Sequence, residues 1–121
     1  MKQILVVDDS ATMRRMIVAS LRDLKNVIFN EASNGLEAIE SLVITPVDLM
    51  ILDLNMPDMH GLEVIKFVRS HQNYCDIPII VLTTRGDEDS KTAALSAGAS
   101  SYLTKPFQPK TFAEQARKLL D

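Results

Sequence analysis

The chain has no tryptophan, one cysteine, four glycines and only 5% aromatic residues in 121 positions. Each shortage excludes something. A lone cysteine, Cys75, rules out an internal disulfide framework and suits a reducing compartment. No histidine and carboxylate are arranged around it to make a nucleophile, which leaves it a structural thiol. The glycines, at 35, 61, 86 and 98, are too scattered to form a loop that cradles phosphates, which argues against a nucleotide or flavin site. No apolar run reaches the roughly 18 residues that a membrane-spanning helix needs. No secretory leader pattern precedes the first apolar segment, so the expected location is cytoplasmic. Basic residues are also outnumbered: 13 Lys and Arg against 16 Asp and Glu leave a net charge of −3. There is no overall positive field to hold nucleic acid or an anionic membrane surface.

What remains is an ordinary globular mixture, 46% hydrophobic and 24% charged, in a length that suits one domain over residues 1–121. Residues 3–7 are apolar on both faces, as in a central parallel strand. Met13, Met16, Ile17, Ser20, Leu21 and Leu24 then fall on one face of a helix, with Arg14, Arg15 and Arg22 opposite. Val27–Ala32 is a second strand. Asn34, with Glu37 three residues on, opens a helix to about Val43. Asp48–Asp53 is a third strand, followed by a loop containing Pro57 and Gly61 and a helix to about Ser70. Pro78–Thr83 is a buried strand, and Asp87–Ala97 a helix closed by Gly98. Ser100–Thr104 is shorter and more polar, suited to an edge, and Pro109 opens a last helix bearing Phe112, Ala116, Leu119 and Leu120 on one face. Five strands alternating with five helices predict an α/β fold, a doubly wound parallel sheet with right-handed crossovers and helices on both faces.

The stretch Ile-Leu-Val-Val-Asp8-Asp9-Ser sets a physical problem. Two adjacent carboxylates at the end of an apolar strand repel each other, and burial penalises their charged forms. In doubly wound sheets the ligand site lies outside the carboxyl ends of the strands. There the first strand ends at Asp8-Asp9, the third at Asp53, the fourth at Thr83-Thr84 and the fifth at Thr104-Lys105. If strands one, three and four are neighbours, three carboxylates converge, with a hydroxyl and an ammonium at the rim. A divalent cation among them would let all three stay ionised. Few, hard oxygen ligands on an open rim favour Mg²⁺ with a phosphate oxygen as co-ligand.

These motifs, with Asp53-Leu-Asn55-Met-Pro57-Asp-Met-His-Gly61-Leu and Ala97-Gly98-Ala-Ser-Ser-Tyr102-Leu-Thr-Lys105-Pro106-Phe107, occur in order over the whole chain. The sequence resembles the receiver domain of bacterial two-component response regulators, in particular the CheY-like chemotaxis class. CheY is itself a standard instance of the flavodoxin-like strand order 2-1-3-4-5, so that order belongs to the resemblance and not to the spacing. The resemblance implies a phosphorylation-switched signalling protein and not an enzyme. Asp53 would be the phosphoacceptor, fed by a sensor histidine kinase of the CheA type. Asp9, Asp53 and the Asn55 carbonyl would bind Mg²⁺, or Mn²⁺ in its place, with Asp8 assisting through water. Lys105, Thr83 and its neighbour Thr84 would face the phosphoryl group, and the Lys105–Pro106 peptide would be cis. Tyr102 would swing toward the space that Thr83 vacates. The fourth helix, fifth strand and fifth helix would then meet a downstream partner such as a flagellar-motor switch protein, from a monomeric resting state. Small residues at Asn55 and Thr84 imply a short-lived phosphoryl group. The segment Arg85-Gly86-Asp87-Glu88-Asp89 is this chain's own and alters that output face.

Local readings stand beside these. Tyr102 is equally an edge-strand aromatic covering the core, His60 and His71 are read as solvent-facing, and the methionines as core or loop filler. Arg14 and Arg15 read as a solvated face, or as a docking aid for an acidic kinase domain. A dehalogenase-like phosphatase would need an acid two residues after its nucleophile, where this chain has Ser10 or Asn55. A receiver excised from a longer regulator with a separate, DNA-binding output domain is the alternative context.

Overall fold

A computed structural model describes residues 1–121. The elements run β1 (Lys2–Val7), α1 (Ala11–Ser20), β2 (Val27–Ala32), α2 (Gly35–Ile44), β3 (Leu49–Leu52), α3 (Gly61–Ser70), β4 (Ile79–Thr83), α4 (Glu88–Ala97), β5 (Ser101–Thr104) and α5 (Pro109–Leu120). The five strands form one parallel sheet in the order β2-β1-β3-β4-β5, the flavodoxin-like order that the resemblance implied. β5 is an edge strand, as its polarity predicted.

Alternation along the strands divides the core in two. Leu5, Val7, Met50, Leu52, Ile79 and Val81 face Ala38 and Leu42 of α2, Val64, Ile65 and Val68 of α3, and Ala94 of α4. Ile4, Val6, Leu49, Ile51, Ile80 and Leu82 face Ile17 of α1, the following Leu21, and Phe112 and Ala116 of α5. Sheet register then sets the site. Val7 pairs with Ala32 and Leu52, and Leu52 with Val81, so Asp8 and Asp53 leave their strands side by side.

Helix termini follow the caps in the sequence. Ser10 Oγ accepts from the Met13 amide at 3.2 Å, Asn34 Oδ1 from Glu37 at 2.9 Å, and Asp87 Oδ2 from Ser90 at 3.0 Å. Gly98 closes α4 at φ 120°, a conformation that side chains disfavour. α1 is shorter than its apolar stripe predicts. It ends at Ser20, and Leu21 is buried from the turn beyond, where amides of Arg22 and Leu24 bond three residues back. Met16 is half exposed instead of core, because it lies at the outer margin of that stripe beside Pro106 and Phe107.

The contacts of three residues were not visible in the sequence. Arg69 runs between α3 and the end of α4, donating Nε to the Gly98 carbonyl at 2.9 Å and Nη1 to the carbonyls of Cys75 and Ile77 at 2.9 and 2.6 Å. Burial pulls its pKa below the ordinary guanidinium value. His60 is partly buried and caps α3, its Nδ1 accepting from the Leu62 amide at 3.1 Å. His71 is also partly buried, stacked on Tyr74 with ring centroids 4.4 Å apart. The solvent-facing expectation fails for both because short-range partners, an orphan helix amide and an aromatic face, are within reach. No helix is long and apolar enough to cross a membrane.

Candidate functional site

The carboxyl ends of β1 and β3 build an acidic pocket. One carboxylate oxygen from each of Asp8, Asp9 and Asp53 lies within 4.8 Å of the others. Asp8 is 1% exposed and Asp53 6% exposed, whereas Asp9 faces solvent. Such proximity of buried like charges requires a counter-charge, and the fold brings one from 97 residues away. Lys105 Nζ donates to Asp8 Oδ2 at 2.7 Å and to Asp53 Oδ2 at 3.3 Å. The ammonium is held there by the end of β5, whose Lys105 amide bonds the Thr83 carbonyl at 2.8 Å. The Lys105–Pro106 peptide that follows is cis.

Asp53 is further oriented by its own loop. Its Oδ1 accepts the Asn55 amide at 3.2 Å, a turn that curls the loop over the carboxylate. The wall beneath is Gly61. A Cβ there would stand 2.6 Å from the Asp53 carbonyl oxygen and 2.7 Å from Leu54 Cα, so only glycine lets α3 begin against the end of β3. At the mouth, Asn55 Nδ2 reaches Thr84 Oγ1 at 3.4 Å, and both residues are exposed.

From the pocket a second group leads outward along β4. Thr83 is fully buried, and its Oγ1 accepts the Arg85 amide at 3.4 Å, beyond the usual range for a strong bond. The carbonyl of the same Arg85 receives the Tyr102 hydroxyl. Tyr102 is partly buried, and that burial, followed by the charge of Asp87, raises its phenol pKa above the ordinary value. Thr83 and Tyr102 therefore hold opposite sides of one peptide segment just before α4.

The match to known proteins is decided along nearly the whole chain. Residues 4–117 match the model of the response regulator receiver domain. The chain belongs to that family. A chemotaxis protein CheY homolog of Campylobacter jejuni is 43% identical over 98% of this chain and 92% of its own length. The solved chemotaxis response regulator CheY4 of Vibrio cholerae superposes with a TM-score of 0.89 at 35% identity, covering 99% of both chains. A more distant solved structure, the Mn²⁺-bound form of response regulator Rcp1, gives a TM-score of 0.84 at 28% identity over 98% of this chain and 91% of that one.

As a CheY-like receiver, this chain has a donor set that fits a small, hard divalent cation. Three carboxylates offer oxygen ligands at one mouth, and one of them, Asp9, is open to solvent so that waters can complete a shell. The fold thus gathers Asp8, Asp9, Asp53, Asn55, Thr83, Thr84 and Lys105 around one pocket, with Tyr102 linked to it through Arg85. One neighbour was missed. Arg14, read from the sequence as solvated, is only 16% exposed and bonds the Asp8 carbonyl and Glu31. Its signal was its place one turn beyond the Ser10 cap, from which a helical side chain leans back toward the strand end.

Proposed function

We propose that this chain is a cytoplasmic, phosphorylation-switched signalling protein whose phosphoacceptor is Asp53. The donor is a phosphohistidine of a sensor kinase of the CheA type. An Asp53 carboxylate oxygen forms a bond to phosphorus as the donor P–N bond breaks, and the imidazole nitrogen keeps the electron pair. Asp8, Asp9, Asp53 and the Asn55 carbonyl would hold Mg²⁺ or Mn²⁺, which when bound offsets the anionic charge of the carboxylates and the incoming phosphoryl oxygens. Lys105 exchanges its contact with Asp53 for one to a phosphoryl oxygen while keeping Asp8. The Thr83 hydroxyl, lightly held at 3.4 Å, turns to another phosphoryl oxygen.

That turn releases the Arg85 amide, and Tyr102, bonded to the same residue's carbonyl, moves with the segment. Phosphorylation biases an existing equilibrium between two arrangements of this loop. The altered face of α4, β5 and α5 then meets a downstream protein, such as a flagellar-motor switch protein. Residues 1–121 act as one receiver unit, monomeric at rest. Exposed Asn55 and Thr84 leave water access to the phosphoryl group, so its lifetime is short.

The observation that carries this reading is the single ammonium, Lys105, bridging two buried carboxylates at the strand ends. Intact mass after incubation with a small-molecule phosphodonor tests it. One phosphoryl group should be added to the wild type only with Mg²⁺, and none to D53N. Addition to D53N at wild-type extent would remove Asp53 from its role.

A further inference from the structure

The chemistry above leaves a partly buried cation beside the pocket unused. Arg14 Nη1 donates to the carbonyl oxygen of Asp8 at 2.6 Å, and its Nε to Glu31 Oε1 at 2.8 Å. We infer that Arg14 is a positioning residue for the cation site: anchored on Glu31, its guanidinium clamps the Asp8–Asp9 peptide and so sets where the Asp9 carboxylate stands. The inference rests on reading Asp9 as a cation ligand.

The two neighbouring acids differ in how they are held. Every polar group of Asp8 is engaged: its amide with the Ala32 carbonyl at 3.1 Å, Oδ1 with the Ser10 amide at 2.9 Å, Oδ2 with Lys105 at 2.7 Å, and its carbonyl with Arg14. Asp9 is exposed and hangs from the same peptide, so what restricts it is the backbone from which it springs. Groups that hold a metal ligand in place influence affinity nearly as much as the ligand does.

Charge alone would argue the other way. A cation beside a Mg²⁺ site repels the ion. Glu31 cancels that charge at ion-pair distance, and Glu37 stands close enough for Arg14 to help lower its pKa, after the larger effects of the Ser33 amide and hydroxyl. The arrangement keeps the clamp and removes most of the repulsion. It also calls for arginine. Nε and Nη1 diverge in a fixed plane toward acceptors at the ends of β1 and β2, which a lysine with a single nitrogen cannot match.

Mg²⁺ affinity, read by calorimetry or by amide chemical shifts, separates clamp from field in three variants whose folding is checked by melting in chelator. R14K keeps the charge but loses the two-point grip, and should weaken Mg²⁺ binding by roughly tenfold. E31Q and E31A are equally neutral, but only glutamine retains an oxygen for Nε. E31Q should therefore lose only the charge cancellation, and E31A, which loses the anchor as well, should bind Mg²⁺ more weakly still. R14K binding as tightly as wild type, or E31Q and E31A behaving alike, would overturn the clamp. Absence of Mg²⁺ binding by the wild type would instead overturn the cation reading, and the clamp with it.

Discussion

The acidic pocket and the β4–α4 segment touch each other yet are built on opposite plans. In the pocket, Asp8 and Asp53 are buried, and Lys105 binds both at 2.7 and 3.3 Å. The strand ends that carry them are fixed by register deep in the sheet. In the segment beyond, Thr84 to Asp89 are all exposed, and the side-chain links back to the pocket are two long bonds of 3.4 Å, from the Arg85 amide to Thr83 and from Asn55 to Thr84. A site for charge chemistry must hold its groups in advance of the reaction. A reporting element must be loose enough for a modest free-energy bias to shift its population. In the proposed function, adjacent residues of one strand end serve the two demands, because β4 is buried through Thr83 and meets solvent at Thr84.

The strongest way to break this contrast is to remove the pocket's counter-charge. K105M leaves two buried carboxylates facing each other, and breaking such a pair costs about 3–5 kcal/mol. Urea unfolding without Mg²⁺ should show that loss. A K105M protein as stable as the wild type would mean the pocket is wet and soft after all. G61A attacks the pocket wall, since its Cβ would meet backbone atoms at 2.6 and 2.7 Å. Overpacking of this kind costs roughly 1–3 kcal/mol, and it should also reduce phosphoryl uptake by displacing Asp53. Unchanged stability in thermal melts would show that α3 can retreat from the strand end.

Changes in the outer segment should cost less and stay local. Y102F removes a neutral hydroxyl bond to a carbonyl that water can reach, so the stability loss should be about 1 kcal/mol or less. Amide shifts should be confined to the β4–α4 segment and the start of α4. Shifts at Asp8 or Asp53 would show the two regions to be one rigid body.

The smallest effect belongs to the cap of α4. The Ser90 amide, then its hydroxyl, lowers the Asp87 pKa, so the cap contributes fully above the ordinary carboxylate value and is lost as pH falls through the depressed one. Protection of the Ser90 amide, taken as its exchange relative to the intrinsic rate at each pH and followed from neutral to acid, should fall only below the ordinary carboxylate range. A loss of protection already near neutral pH would assign the first turn's order to something other than Asp87.

Much of this was legible before any coordinates. Both-face apolarity marked β1 as central, Pro78–Thr83 read as a buried strand, and the Asn34 cap directly precedes the observed start of α2 at Gly35. The end of α1 was not legible, because Leu21 and Leu24 keep helical spacing while the backbone tightens into turns after Ser20. His60 misled for a related reason. Its identity says nothing about whether an unpaired amide, here Leu62's, lies within reach of its ring. Arg14 was read by its face of the helix, yet the strand end it leans over decided its partners.

By itself the sequence determined the alternation of elements, the helix caps, and the placing of acids and hydroxyls at strand ends, since these depend on period, steric preference and local hydrogen bonding. It also carried the family, through motifs distributed along the chain. Only the tertiary structure decided that Lys105 rests between Asp8 and Asp53, that Arg14 grips the Asp8 carbonyl, and that Thr83 and Tyr102 share Arg85. Those pairings depend on sheet order and register, which bring together charges up to 97 positions apart, and no local spacing encodes the distance between two strands.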